Sequence, residues 1–292
     1  MRQRISEKNI FPSFDLFDEY QKLEEIFSNR RTIGTYDRWG DRRPPLYTFE
    51  EYIRDLQFES WNLRGTFINL QEMRQKLNIA PENFSKRDIT ENQLLDYIQF
   101  LLNCWFRIHS TIKLMQTQGI AYLAQEDSLE MLFQNCRYIL EKLHCEDKLD
   151  KENDEIYVVY QDELSAEVSQ QNPDVEISLT DYHRIDNRGD LRRKGEILCT
   201  LSKQLEAVEA QVKGTEFYSI YNDATFLLNK IGARHWTGKD KLANATFMKM
   251  SPEELEEWYD TAFNLVVSCF AAIPYLTVKD KIKTIKKTEV DK

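Results

Sequence analysis

The residues best suited to chemistry in this sequence are an arginine and a histidine seven positions apart, in Arg137-Tyr-Ile-Leu-Glu-Lys-Leu-His144. On an α-helix that spacing leaves the two side chains about 20° apart around the axis. Arginine offers a planar, permanently charged fork to a phosphate, and histidine exchanges a proton near neutral pH. Together they are the minimum for cleaving RNA by general acid–base chemistry without a metal. The same two residues serve equally well as a surface arginine bound to neighbouring acids and a histidine favoured by the dipole at a helix C-terminus.

Two further groups have suitable chemistry. Ile231-Gly-Ala-Arg-His-Trp-Thr-Gly238 follows one expected helix, and Asp181-Tyr-His-Arg-Ile-Asp-Asn-Arg-Gly-Asp190 enters another. If those helices run antiparallel, His183, Arg184, Arg234 and His235 meet at one end of the bundle, with Arg234 on a phosphate and His235 as acid or base. The segment 30–47 interleaves Arg38, Trp39, Arg42 and Arg43 with Tyr36 and Tyr47. Arginine among aromatics is the composition of protein-interface hot spots, and it also stacks on bases and holds phosphates. The expected binding residues are therefore Arg38, Trp39, Arg42, Arg43, His183 and Arg184.

Other classes of chemistry lose their usual parts. The sequence contains no phosphate-binding glycine loop, dinucleotide fingerprint, nucleophile elbow, zincin pair or EF-hand loop. Cys136, His144 and Cys145 are too few for a structural zinc, and none of the five cysteines forms a C-x-x-C pair. They are expected to be reduced core thiols. No metal and no cofactor are expected. A net charge of −10 argues against a general nucleic-acid coat. The 49 acidic residues make paired carboxylates uninformative, because helix first turns and polar faces collect them anyway.

The elements that must position these residues read as helices. Nine Gly and seven Pro in 292 residues leave few breakers. Three capping signatures mark helix starts: Thr48 with Glu51, Thr90 with Gln93, and Ser251 with Glu254, the last with Pro252 at the first helical position. Apolar stripes at helical spacing follow each. The first supports a long helix carrying Ile53, Leu56, Leu63, Phe67, Leu70, Met73 and Leu77 inward. The last should end at Pro274. Ile156-Tyr-Val-Val-Tyr160 is β-branched and aromatic, and Val175-Glu-Ile-Ser-Leu179 alternates, so the two are expected to pair as a minor ribbon.

The Arg137–His144 spacing resembles the R-x(4–6)-H motif of the HEPN-superfamily ribonucleases, although Tyr138 stands where that family often has Asn, Asp or His. The stretch from about 180 to 240 is similar to segments of helical abortive-infection proteins. The resemblance implies a helical, often dimeric protein of a bacterial phage-defence or toxin system.

The expectation is thus an all-α multi-helix bundle of about seven main helices with a minor two-stranded ribbon within 155–180. An N-terminal lobe covers 1–148 and a C-terminal lobe 149–292, divided at the charged stretch 146–155 or forming one compact unit. The N-terminus has no apolar signal region, and the longest apolar run, Leu265 to Leu276, is too short to span a bilayer, so a cytoplasmic location without membrane contact is expected. Lys279, Lys281, Lys283, Lys286 and Lys287 should form a solvated basic end. The expected role is a helical interaction or regulatory protein with a protein partner or a second copy of itself. RNA is the alternative ligand, for a metal-independent ribonuclease using Arg137 with His144 or Arg234 with His235.

Overall fold

A computed structural model describes residues 14–35, 46–84, 89–117, 122–124, 126–234 and 247–290. Arg38, Trp39, Arg42, Arg43 and His235 lie outside the described residues.

All three capping signatures work as their chemistry requires. Thr48 Oγ1 accepts from the Glu51 amide at 3.0 Å, and Glu51 returns a carboxylate oxygen to the Thr48 amide at 3.0 Å. The Thr90–Gln93 and Ser251–Glu254 pairs close the same reciprocal loop. The described chain is predominantly helical, as expected, and it divides into two compact units, Met1–Val158 and Val159–Lys292.

In the first unit the helices are α1 (Leu16–Glu24), α2 (Phe49–Tyr52), α3 (Leu70–Lys76), α4 (Glu91–Thr117) and α5 (Glu126–Lys142). Strands β1 (Ile33–Thr35), β2 (Leu46–Tyr47) and β3 (Tyr122–Ala124) form a small antiparallel sheet in the order β2-β1-β3, which the sequence reading did not include. The centre is α4, whose Leu94, Tyr97, Ile98, Leu101, Leu102 and Ile108 are all buried.

The single helix expected from Thr48 to Leu77 is broken. After α2 the chain runs through a π-helical turn (Ile53–Gln57) and two 3-10 turns before α3 begins. Trp61 is extended and Gly65 is left-handed, with φ +53°, and either would end an α-helix. Leu56 consequently faces outward.

The minor ribbon exists, but with a different partner. Strand β4 (Cys145–Asp150), drawn from the charged stretch, pairs with β5 (Glu155–Tyr160). The division between the units falls between Val158 and Val159, inside β5. Residues 175–179 belong instead to a helix with Pro173 at its first position. There Val175 and Leu179, four apart, are buried, whereas Ile177 is 81% exposed. The apparent alternation was one turn of helix with an outward isoleucine.

A polar clasp seats the hairpin on α4. Asn103 is buried within the helix and treats the strand as a partner backbone: its Oδ1 accepts from the Ile156 amide at 2.8 Å, and its Nδ2 donates to the Ile156 carbonyl at 2.6 Å. One turn earlier, Gln99 Oε1 accepts from the Val158 amide at 2.7 Å.

The second unit contains α6 (Glu163–Gln171), α7 (Pro173–Tyr182), α8 (Leu191–Glu206), α9 (Glu209–Val212), α10 (Tyr218–Lys230) and α11 (Pro252–Val290). Its core is built from α7, α8, α10 and α11, including Leu179, Leu198, Leu201, Leu228, Tyr259 and Phe263. Helix α11 runs for 39 residues and continues through Pro274, so the basic end expected to be loose is helical. By length and composition its Pro252–Lys279 stretch is apolar enough to cross a bilayer, more than the run from Leu265 to Leu276 suggested. In the structure Leu255, Tyr259, Ala262, Phe263, Val266 and Phe270 of that stretch are buried in the core of this unit.

Candidate functional site

Arg137 and His144 do not share a helix face. Helix α5 ends at Lys142, and His144 adopts the left-handed conformation, with φ +53°, that reverses the chain into β4. The 20° relation holds only while a helix continues through both residues. Arg137 is also committed elsewhere. Its Nε donates to Asp147 Oδ1 at 2.8 Å, and its guanidinium lies 4.9 Å from the Phe133 ring. Phe133 stacks on Trp105 at 4.3 Å, and Trp105 on His109 at 5.0 Å. Arg137 thus caps a column of aromatic rings running between α5 and α4.

His183, Arg184 and Arg234 do not converge either. Arg234 pairs with Glu206 at the C-terminal end of α8, at 3.1 Å. At the other end of α8, Arg193 pairs with Asp181, which lies close to His183 and Arg184. The 13 residues from 193 to 206 correspond to about 20 Å of helix. Arg184 is held by Asp186 at 3.4 Å and by Asp181 at 3.9 Å.

Around His183 the structure assembles Ser165 and Asp162, a residue set used for nucleophilic catalysis. The geometry is different. Ser165 Oγ at 3.3 Å and Asp162 Oδ2 at 3.5 Å both lie against Nε2 of the ring. A relay needs the acid and the nucleophile on opposite ring nitrogens. Asp162 is also the N-cap of α6 and accepts from the Ser165 amide at 3.1 Å. Burial lowers the His183 pKa against the opposing pull of Asp162, while hydrogen bonds from Ser165 hold the Asp162 carboxyl below its ordinary value in spite of desolvation. This cluster is a helix start braced by a buried imidazole.

Two buried ionic centres were missed in the sequence because each is assembled from distant segments. In the first unit Arg74 is 2% exposed. It reaches Glu24 at 2.8 Å and Glu50 at 3.0 Å, and its Nε donates to the Ile79 carbonyl at 3.4 Å. Tyr97 donates its hydroxyl to the same Glu24, and the Phe27 ring lies 5.5 Å from the guanidinium. Burial works against the charge of Arg74, but Tyr97, Glu24 and Glu50 outweigh it and the pKa is raised. In the second unit the buried Lys194 reaches Glu256 at 2.7 Å and Asp260 at 2.8 Å, with Tyr182 donating to Asp260 at 2.8 Å. Tyr182 stacks on Phe263 at 3.9 Å. Both centres set one cation against two carboxylates and close it in with aromatic rings, which suits a structural role.

One concave feature with a polar group left over lies in the first unit. A cavity of about 310 Å³ opens between the 3-10 turns after α2, the middle of α4 and the β4–β5 turn. Trp61, Leu63 and Phe106 supply its apolar wall, Arg107 and Ser110 its α4 side, and Asn153, Asp154 and Glu155 its far rim. The clasp between Asn103 and Ile156 holds that rim against α4, one turn of helix from Arg107. Arg107 Nη2 donates to the Ser60 hydroxyl at 2.9 Å and the Ser60 carbonyl at 3.2 Å. Its Nε is shut off from water without a hydrogen-bond partner, and among the described residues it makes no ion pair. The sequence signal for this site was faint: an arginine one turn after a buried asparagine, and a Trp-Asn-Leu-Arg turn before a glycine.

Among the described residues no group of three or more metal-ligating side chains comes together. No protein-family model, curated protein or solved structure matches this chain.

Proposed function

We propose that this chain is a helical interaction protein, and that the C-terminal half of α11 is its contact surface for an acidic amphipathic helix of a partner. The observation that carries this reading is a stripe of outward apolar residues. Tyr275 is 53% exposed, Val278 50%, Ile282 45% and Ile285 57%. Their spacing of three, four and three is that of the a and d positions of a heptad repeat. The opposite side of the same helix fills the core of the second unit up to Phe270.

The flanking charges select the occupant. In that heptad, Lys279 takes an e position and Lys281 a g position. A second copy of this helix would set lysine against lysine, which is unfavourable, whereas glutamates on a partner helix would match them. Lys279 pairs with Glu216 of the same unit, which supports a carboxylate as the group that meets this position. A regulatory subunit is compatible with the defence or toxin setting that the resemblance implies. The Arg137–His144 form of the ribonuclease reading loses support, because it needed both residues on one helix face; its Arg234–His235 form involves His235, which lies outside the described residues.

The test is titration with a synthetic helix carrying Leu at a and d and Glu at e and g. Binding should weaken as salt rises and vanish in an Ile282→Glu, Ile285→Glu double variant whose thermal melt is unchanged. A stable dimer of the chain alone in sedimentation, or preference for anionic vesicles over the peptide, would overturn the proposal.

A further inference from the structure

We propose that the cavity beside Arg107 is a binding site for a small zwitterion with an apolar body, of which an aromatic α-amino acid is the simplest example. Three features of the wall point there, and each matches one part of such a molecule.

The first is the unmatched cation. Arg107 is half-buried, and its hydrogen bonds go to the uncharged Ser60 hydroxyl and carbonyl. Most arginines named above, including Arg74, Arg137, Arg184, Arg193 and Arg234, have a carboxylate within ion-pair distance. A partly desolvated guanidinium without a counter-charge is costly, and a ligand carboxylate would supply one through a charge-assisted, bidentate contact.

The second is the anionic rim. Asp154 lines the cavity across from α4, beside Glu155, and among the described residues it forms no ion pair with Arg107. The site therefore keeps its positive and negative groups apart, as binding both ends of a zwitterion requires. Asp154 is held in the left-handed conformation, φ +58°, at the tip of the hairpin. Asp150 fixes that turn by accepting from the Glu152 and Asn153 amides at 3.0 and 3.1 Å. An ammonium group placed there meets a carboxylate on a braced turn, with the Asn153 amide beside it.

The third is the apolar wall of Trp61, Leu63 and Phe106, which gives a flat or branched side chain a surface that water hydrates poorly. A volume of about 310 Å³ is at the lower end for ligand pockets, so the ligand is a small molecule.

The experiment is calorimetric titration of the full chain with L-phenylalanine, phenethylamine and 3-phenylpropionate. The last two each lack one charge. L-phenylalanine should saturate one site, and each analogue should bind at least about tenfold more weakly. Arg107→Met should remove the preference for L-phenylalanine over phenethylamine, and Asp154→Asn the preference over 3-phenylpropionate. Ser110→Tyr, which fills the cavity from α4, should abolish binding while leaving the circular-dichroism melt in place. No saturable heat from L-phenylalanine, equal binding of phenethylamine, or undiminished binding in Ser110→Tyr would each overturn the assignment.

Discussion

Arg74 and Lys194 have the same problem and the same solution. Each is a long cation taken almost out of water, and each is matched by two carboxylates and a tyrosine whose hydroxyl serves one of them. Removing the cation leaves the acids unpaired. Arg74→Met should therefore cost about 3–5 kcal/mol in chemical denaturation. Lys194→Met should cost less, about 2–3 kcal/mol, because Asp260 is half exposed and water can take over part of its solvation. His183 gives a prediction in pH. Burial lowers its pKa from the ordinary 6.5, so as pH falls the unfolded chain takes up the proton first. Its contribution is intact above about pH 6.5 and is lost as the pH drops below it. The Asp162 contribution has the same sign of linkage in a lower pH window. Its carboxyl is held low, so its stabilisation is present above the ordinary value of 3.8 and is lost only in stronger acid. A His183→Gln variant should show a flatter loss of stability just below pH 6.5 than the parent, measured by urea titration across that range.

At the scale of elements, two devices decide the geometry. The Asn103 clasp lets a helix side chain satisfy both the donor and the acceptor of a strand residue, so the hairpin docks without further strands. Asn103→Ala should cost about 2–4 kcal/mol and raise amide exchange at Ile156, since a buried donor and acceptor are left unsatisfied. Helix α11 tolerates Pro274 in its interior at the expense of one backbone hydrogen bond. Replacing Pro274 with Ala should stabilise the protein by up to about 3 kcal/mol, read as a higher melting temperature. The opposite result would mean that the proline shapes the exposed stripe that follows it.

At the scale of the whole molecule, charge is distributed unevenly. The chain carries −10 overall, yet its C-terminal helix ends in a run of lysines beside apolar residues. Under the proposed reading such a surface would draw an acidic partner even on an acidic protein, because screening confines the interaction to about 10 Å at moderate salt. Raising salt from 50 to 500 mM should weaken a partner helix bound there several-fold, whereas a ligand in the cavity beside Arg107 should respond less, because its charges are partly shielded from solvent.

The sequence by itself determined what depends on near neighbours along the chain. The capping boxes at Thr48, Thr90 and Ser251, the stripe of α4 and the absence of phosphate loops all follow from residues three to seven apart, and each is local physics. It misread segments where local signals conflict. Val175 and Leu179 fit a strand and a helix equally well until burial shows Ile177 outside. The 146–155 stretch reads as a lobe boundary because its charges conceal that β5 needs a partner strand. Only the tertiary structure decided the sites. Arg74 meets Glu24 fifty residues away, Arg107 meets Ser60 across 47, and Lys194 meets Asp260 across 66. Arg137 and His144 looked paired because spacing along the chain is visible, whereas the end of a helix between them depends on the left-handed turn that the following hairpin imposes. A binding site requires groups to converge in space, and convergence over such separations is set by how the helices pack.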